Sequence, residues 1–241
     1  MPNIEKTLLW MDHTLETLVL TQPIPKKNYI RDGLRYHYEE RSLAQAVLQK
    51  LARIASGLRS AQILLEHGLL QEQAALCRMI DEFQEDVCFL SFGILDGDLS
   101  DRHQQYLDAF YDGTDNENHS PQSFLEKKNE VPRKKIRSYI ANHKLSPLNP
   151  SGAISASLQI SNVFSGYVHG ASLNIMEMYH PTPPKFLTRG MSGSRLQEDH
   201  RVDFHNFVYR GIMAFCFATR AIGDSDLNQR AYEFLVEWEN S

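Results

Sequence analysis

The chain has 241 residues, of which 42% are hydrophobic and 23% charged, a composition typical of a globular protein with a core and not of a disordered chain. The formal net charge of −5 at pH 7 argues against a protein that binds nucleic acid over its whole surface. It is compatible with a local basic patch. Three cysteines without C-x-x-C spacing are typical of reduced thiols. The N-terminus lacks the basic start and apolar run of a secretion signal, so we expect a cytoplasmic protein.

Three amphipathic helices are predicted in the first part of the chain. Apolar residues recur at steps of three and four over residues 3–20, 39–67 and 71–93. The seam of the second helix is typical of a bundle or a coiled coil. Gly68 stands between the second and third helices in the usual C-terminal position, so we expect these two helices to form an antiparallel hairpin.

The third helix carries a polar face opposite its apolar stripe. At about 100° per residue, Arg78, Glu82 and Glu85 lie roughly half a turn from the apolar residues. These side chains are either solvated or turned toward another helix as a buried polar cluster. The spacing does not separate the two arrangements, and the solvated face is the one we expect.

Two neighbouring segments have opposite charge, acidic over residues 96–118 and basic over residues 126–144. The basic segment is the only dense candidate for phosphate binding in an acidic chain, and Pro132 is positioned to begin a helix within it. A charge run of this kind is also typical of a solvated face that binds nothing. The basic side chains that we expect at phosphates are Arg133, Lys134, Lys135 and Arg137.

Residues 151–179 carry a single formal charge, on Glu177. Six serines and other polar groups make the segment too polar for a membrane span, so we expect no membrane association. Two adjacent apolar stripes predict a helix that is covered on most sides, the central buried helix of the fold. Gly166 and Gly170, four residues apart, indicate a close packing contact or a ligand against that face.

His169 is the candidate functional residue of this helix, with Ser165 and Tyr167 as binding residues beside it. A Ser and a His one turn apart lack the third group that would orient the histidine for hydrolysis. The histidine is therefore either a core residue bonded to its neighbours or a catalytic or binding residue. In both cases we expect it to be buried beside Arg78 and Glu82, because a polar patch inside a bundle needs partners.

Residues 180–198 contain prolines and glycines without periodicity and predict a long connection, of a kind that is often functional or mobile. Its RGMSGSR stretch places glycines between Arg189 and Arg195, where backbone amides could hold an anion, although the residue order is not that of a P-loop. Another buried helix is predicted over residues 199–222. A last helix follows it after a cap near Asp224.

His200, Asp203 and His205 stand close together in the sequence and are the candidates for a metal site. Their steps of three and two do not align on one helical face, and no HExxH or paired Glu-x-x-His pattern is present. The acidic segment likewise lacks the residue order of a calcium loop. We therefore expect neither a metal nor a cofactor.

Two stretches carry a family resemblance, CRMIDEFQEDVCFL at residues 77–90 and FSGYVHGAS at residues 164–172. They resemble bacterial all-α proteins of unknown function, in which a helix with an arginine and acidic residues is followed by a Ser-x-x-Val-His-Gly-like helix. Those families are loosely similar to the HEPN group of toxin–antitoxin and phage-defence systems, many of which are metal-independent RNases that work as dimers. The resemblance implies an all-α homodimer with RNA or a nucleotide as its ligand.

The RNase motif of the HEPN group is an arginine followed, after four to six residues, by a histidine. The gaps from Arg137 to His143 and from Arg195 to His200 fit this motif, and so does a third pair at residues 31 and 37. In such a site the arginine would stabilise phosphate charge and the histidine would act as general acid or base. The candidate catalytic residues are His169, His143, His200, Arg137 and Arg195.

We thus predict a single all-α domain over residues 1–241, a bundle of about seven or eight helices around the helix at 151–179. The predicted function is a HEPN-like protein that binds RNA or a nucleotide, with metal-independent RNA cleavage as its activity if it is an enzyme. The alternative is a non-catalytic module for dimerisation or partner binding, built on the seam of residues 39–67. The candidate binding residues are Arg78, Glu82, Ser165, Tyr167, Arg133, Lys134, Lys135 and Arg189.

Overall fold

The computed structural model describes residues 3–30, 33–97, 99–112, 130–146 and 149–241. Within these ranges the chain forms nine α-helices and two short antiparallel strand pairs, which confirms the all-α prediction. The elements are α1 (Ile4–Val19), β1 (Lys26–Ile30), β2 (Gly33–His37), α2 (Leu43–Glu66), α3 (Leu70–Asp96), α4 (Asp101–Tyr111), α5 (Arg133–Asn142), α6 (Pro150–Val168), α7 (Ser172–Met176), β3 (Tyr179–Pro181), β4 (Pro184–Phe186), α8 (Arg195–Ile222) and α9 (Ser225–Glu239).

The bundle is organised around α3, which packs against α2, α5, α6 and α8. α2 and α3 form the predicted helical hairpin. α8 runs parallel to α3, since contacts between the two helices advance in the same direction from Gln73 with His200 to Asp81 with Arg210. The largest side chains with almost no exposure belong to these two helices, and they are Phe89, Phe92, Phe204 and Phe215.

The turn between α2 and α3 is fixed by a glycine in the left-handed region. Gly68 has a φ of +69°, and a Cβ at this position would lie 2.3 Å from the backbone nitrogen of Ser192. The amide of Met191 donates to the Gly68 oxygen over 2.7 Å. Only glycine fits here, because its lack of a Cβ allows both the backbone angle and the close approach of the chain that precedes α8.

The segment at 151–179 is not the central buried helix, and that prediction is wrong. α6 ends at Val168, Gly170 takes a φ of +62°, and the chain continues into α7 and β3. Within α6 only Ser161 and Phe164 are buried. A segment without charges can lie at the surface when its serines and amides satisfy their polar groups with water, so absence of charge did not establish burial. Among the described residues, no helix has both the length and the apolarity needed to cross a membrane.

The strands were not predicted from the sequence. β1 and β2, of five residues each, pair in antiparallel orientation, and so do β3 and β4, of three residues each, at the start of the segment 180–198. That segment is therefore not an irregular connection throughout, since α8 also begins within it. Its remainder is anchored, because Met191 is buried and its amide donates to the Gly68 oxygen over 2.7 Å.

Candidate functional site

Three carboxylates lie buried on one side of α3. Asp81, Glu85 and Asp86 are exposed by 0%, 5% and 4%, although Glu85 was expected on a solvated face. The neighbouring helices α5, α6 and α8 all pack against α3 and enclose it. Because a buried carboxylate is costly unless it is paired and hydrogen-bonded, this face of α3 requires cations from its neighbours.

Helix α5 supplies two of these cations. Arg133 donates to Asp86 and Glu85, and over 3.0 Å to a backbone oxygen of α3. Arg137 donates through Nε to Oε1 of Glu85 over 2.8 Å, and the Ser157 hydroxyl of α6 donates to the same oxygen. The two arginines thus fasten α5 to α3, and Glu85 is shared by three helices.

Further cations complete the cluster from α2 and α8. Lys50 of α2 lies 2.9 Å from Asp86, and Arg210 of α8 pairs with Asp81. Opposed charges from four helices therefore meet here, with the carboxylates buried and Lys50, Arg133 and Arg210 half-buried. We call this group the ionic cluster, and it consists of Lys50, Asp81, Glu85, Asp86, Arg133, Arg137 and Arg210.

The polar face predicted at Arg78, Glu82 and Glu85 is only partly solvated. Arg78 is largely buried, with Nη2 2.8 Å from Glu82 and Nη1 3.8 Å from Asp81. Glu82 remains 39% exposed on its side chain, so the expected solvated arrangement is right for Glu82 and wrong for Arg78 and Glu85. Burial differs because Glu85 faces α5 and α6.

The pKa values of the two innermost carboxyls shift in opposite directions. Burial raises the pKa of Asp81, and the charges of Arg210 and Arg78 offset only part of that effect. Burial alone would also raise the pKa of Glu85, but the charge of Arg133 and the hydrogen bonds from Ser157 and Arg137 lower it below its ordinary value. Glu85 is therefore the carboxylate that its surroundings hold in the charged form.

A cavity of about 350 Å³ adjoins the ionic cluster between α3, α5, α6 and α8. Gln84, Glu85, Arg137, Ser157 and Arg210 form its polar end. Its other walls are mostly apolar and include Phe92, Ile140, Leu145, Ile160, Met213 and Phe217. An apolar chamber with a few convergent polar groups is the usual form of a small-molecule site.

The basic segment does not present its arginines to solvent. Arg133 and Arg137 are engaged in the ionic cluster, whereas Lys134 and Lys135 are exposed. The helix begins after Pro132 as predicted, but two of its four predicted phosphate contacts point into the bundle. Residues 113–129, which include parts of both charged segments, lie outside the described residues, as does residue 31 of the third Arg–His pair.

His143 occupies a structural position at the end of α5. Its ring stacks on Phe92 at 4.0 Å between centroids, and its Nδ1 accepts the Leu145 amide over 3.2 Å. Nε2 then carries the proton and lies 3.3 Å from Asp96 Oδ1. Arg137 contacts Glu85 and His143 contacts Asp96, and these two carboxylates are eleven residues, or about 16 Å, apart along α3. Arg137 and His143 therefore do not converge on one site.

His200 is buried in a second polar group beneath the end of α6. Its Nδ1 lies 2.9 Å from Gln73 Oε1 and its Nε2 lies 3.4 Å from the Tyr167 hydroxyl. Burial lowers the pKa of His200, despite the opposing charges of Glu177 and Asp203. Tyr167 in turn donates to Glu177 over 3.2 Å. The imidazole is thus enclosed by protein groups and only 5% exposed.

His169 is exposed, and the prediction that it lies buried beside Arg78 and Glu82 is wrong. It is the C-terminal cap residue of α6, where its amide donates to the Ser165 oxygen over 3.1 Å. The helix ends here because Gly170 reverses the chain. Gly166 reflects packing within the chain, as a Cβ there would lie 2.1 Å from Oδ1 of Asn174.

Arg189 and Arg195 are both exposed and do not join a common site with His200. The backbone amides between them are used within the chain, since the Met191 amide donates to Gly68 and the Gly193 amide donates to Gln197. These two amides are therefore not free to hold an anion. Over the described residues, no three His, Cys, Asp or Glu side chains converge as metal ligands.

The charge-free segment forms a surface instead of a core. Between residues 151 and 184 only Glu177 carries a formal charge, and it is half-buried and accepts from Gln71 and Tyr167. We call its exposed apolar residues, together with Phe186 of β4, the charge-free surface. The residues of this surface, all at least 40% exposed, are Leu158, Val163, Val168, Leu173, Ile175, Met176, Tyr179 and Phe186.

Sequence reasoning missed most members of the ionic cluster and the cavity. Asp81, Asp86, Gln84 and Arg210 carried no motif, and their partners are far away in the chain. One signal was present, because DEFQED at residues 81–86 places four acidic groups within an arc of about 140°, opposite the apolar stripe of the same helix. Several carboxylates so close together on a helix of a bundle require cations from the neighbouring elements.

No known protein family, curated protein or solved structure matches the chain.

Proposed function

We propose that the chain is a non-catalytic helical module that self-associates through the charge-free surface. One observation carries this proposal: seven large apolar side chains are exposed between residues 151 and 184, where Glu177 is the only formal charge, and Phe186 packs against Tyr179 just after this stretch. Large exposed apolar areas of soluble proteins mark interaction sites. Interface cores, in contrast, are depleted of charged residues and enriched in aromatic residues and methionine.

Charge favours a second copy of the chain as the occupant. In a two-fold pair, residues near the axis face their own copies, so a charged patch would repel itself. The chain as a whole has a net charge of −5, which opposes association of two copies through most other surfaces. The outer face of α6 exposes Ser155, Leu158, Gln159 and Val163. None of these side chains is charged, so association would not remove an ion from water.

The RNase hypothesis has less support from the geometry. The arginines of the basic segment are engaged in buried ion pairs, and the buried His200 is held by protein groups. Neither candidate pair combines an accessible arginine with an accessible histidine. The module hypothesis requires no such pair, and the resemblance to dimeric helical families agrees with it.

The test is the mass of the protein in solution. The wild type should sediment as a species of twice the 27.7 kDa chain mass. Val163→Lys, at a position 62% exposed on α6, should be monomeric because two lysines would meet across the interface. Leu9→Lys is the matched control, since Leu9 is 58% exposed on α1, outside the charge-free surface, and this variant should remain dimeric. A monomeric wild type, or equal masses for both variants, would refute the proposal.

A further inference from the structure

The cavity beside the ionic cluster contains two buried polar atoms that the protein leaves without partners. Arg137 is 9% exposed, and its Nη2 has no hydrogen-bond partner among the described residues. Gln84 is 2% exposed, and its Oε1 likewise has no hydrogen-bond partner among the described residues. Both residues line the cavity. Because a buried donor or acceptor without a partner is unfavourable, two of them at one end of an apolar chamber point to a bound molecule that would satisfy them.

The other polar groups at this end are already occupied. Gln84 uses its amide nitrogen on the Phe207 oxygen at 2.8 Å, and Arg137 uses Nε on Glu85. Ser157 donates to Glu85, and Arg210 forms an ion pair with Asp81, which does not line the cavity. Within the described part of the chain, a ligand therefore meets Arg137 Nη2 as a cationic donor without an ion-pair or hydrogen-bond partner and Gln84 Oε1 as a neutral acceptor.

We propose that the cavity binds a small amphipathic monoanion, a carboxylate with an apolar body. A carboxylate oxygen would accept from Arg137 Nη2, and a neighbouring hydroxyl or N–H of the ligand, or its bound water, would donate to Gln84 Oε1. A single negative charge fits better than a phosphate dianion, because the Glu85 carboxylate lies against the same guanidinium and would repel the second charge. This site is separate from the surface proposed for self-association.

The size and shape of the cavity limit the apolar body. The polar end lies at Gln84 and the apolar end at Phe92, eight residues or about 12 Å along α3. At the apolar end Phe92 meets Phe217 edge to face, at 4.9 Å between ring centroids. A volume of about 350 Å³ holds on the order of a dozen water-sized atoms. A chain of seven or so carbons with one carboxylate matches these dimensions.

Octanoate is a suitable probe, and 1-octanol and octylamine are its controls of matched length. Calorimetry on the full chain should show saturable octanoate binding, at least roughly tenfold tighter than 1-octanol, and none of octylamine. Octyl phosphate tests whether the site prefers a phosphate to a carboxylate, and it should bind more weakly than octanoate. Equal binding of octanoate and 1-octanol, tighter binding of octyl phosphate, or no octanoate binding would overturn the proposal.

Two variants test whether octanoate binds in this cavity. Arg137→Lys keeps a cation for Glu85 but removes the free Nη2, so octanoate affinity should fall roughly tenfold while 1-octanol is unaffected. Ala156→Phe fills the chamber from α6 and should abolish binding of both. Circular dichroism identifies a variant that fails to fold, and the comparison of probes on the wild type remains decisive in that case. Unchanged octanoate binding in a folded Ala156→Phe protein would contradict the site.

Discussion

Glu85 is the residue on which the ionic cluster depends most. Replacing it by Gln leaves Arg133 and Arg137 without the carboxylate that both contact, so we expect the free energy of unfolding to fall by about 3 kcal/mol. Glu82→Gln is the control, one turn earlier on the same helix and half-exposed, and it should cost about 0.5 kcal/mol. Urea denaturation measures both values. Similar losses in the two variants would show that Glu85 has no special role.

His200 should make the stability of the protein depend on pH. Burial lowers its pKa in the folded state, so between its ordinary value of 6.5 and the lower folded value the unfolded chain binds more protons. Stability is then fully present above pH 6.5 and is lost as the pH falls through that window. Denaturation at about pH 7.5 and 5.5 should show a larger loss for the wild type than for His200→Gln. Equal losses in the two proteins would contradict the assignment.

At the scale of elements, the contact between the α2–α3 turn and the chain before α8 can be tested with two glycines. Gly68 and Gly97 share a left-handed backbone, with φ of +69° and +66°. Gly97→Ala should cost only the strain of that backbone, about 1 kcal/mol, because nothing lies within 4 Å of its Cβ. Gly68→Ala adds a clash with Ser192 and should be clearly worse in thermal denaturation. Equal costs would mean that this contact does not constrain the turn.

Most helices were predictable because their apolar residues repeat with the period of a helix. The α2–α3 hairpin and the last helix after Asp224 follow from such repeats and from caps that the structure confirms. The two hairpins were missed because their strands are short and exposed, so no buried alternating face marks them.

The error at α6 has a physical cause that also guides its interpretation. A stretch without charges indicates that ions are excluded, and both a core and an interface between copies exclude them. One sequence alone does not distinguish the two. The candidate site was less predictable still, because Arg133 reaches Glu85 from 48 residues away and only packing brings them together.

At the scale of the whole molecule, we expect no tight binding of RNA. Four of the basic residues between 126 and 144 were predicted to contact phosphate, but only Lys134 and Lys135 among them are exposed on a chain of net charge −5. Fluorescence anisotropy with mixed single-stranded RNA should show at most weak binding at physiological salt. Replacing Lys134 and Lys135 together by Gln should leave that signal unchanged. Tight binding that this double variant abolishes would restore the nucleic-acid hypothesis.

Self-association through the charge-free surface is most directly tested by hydrogen exchange at two protein concentrations. Amides that join an interface exchange more slowly when the complex is populated. Peptides from residues 158–176 should therefore be protected at high concentration and released on dilution, whereas those from α3, buried in either state, should not change. Exchange that is independent of concentration throughout, or protection confined to another part of the chain, would contradict this account.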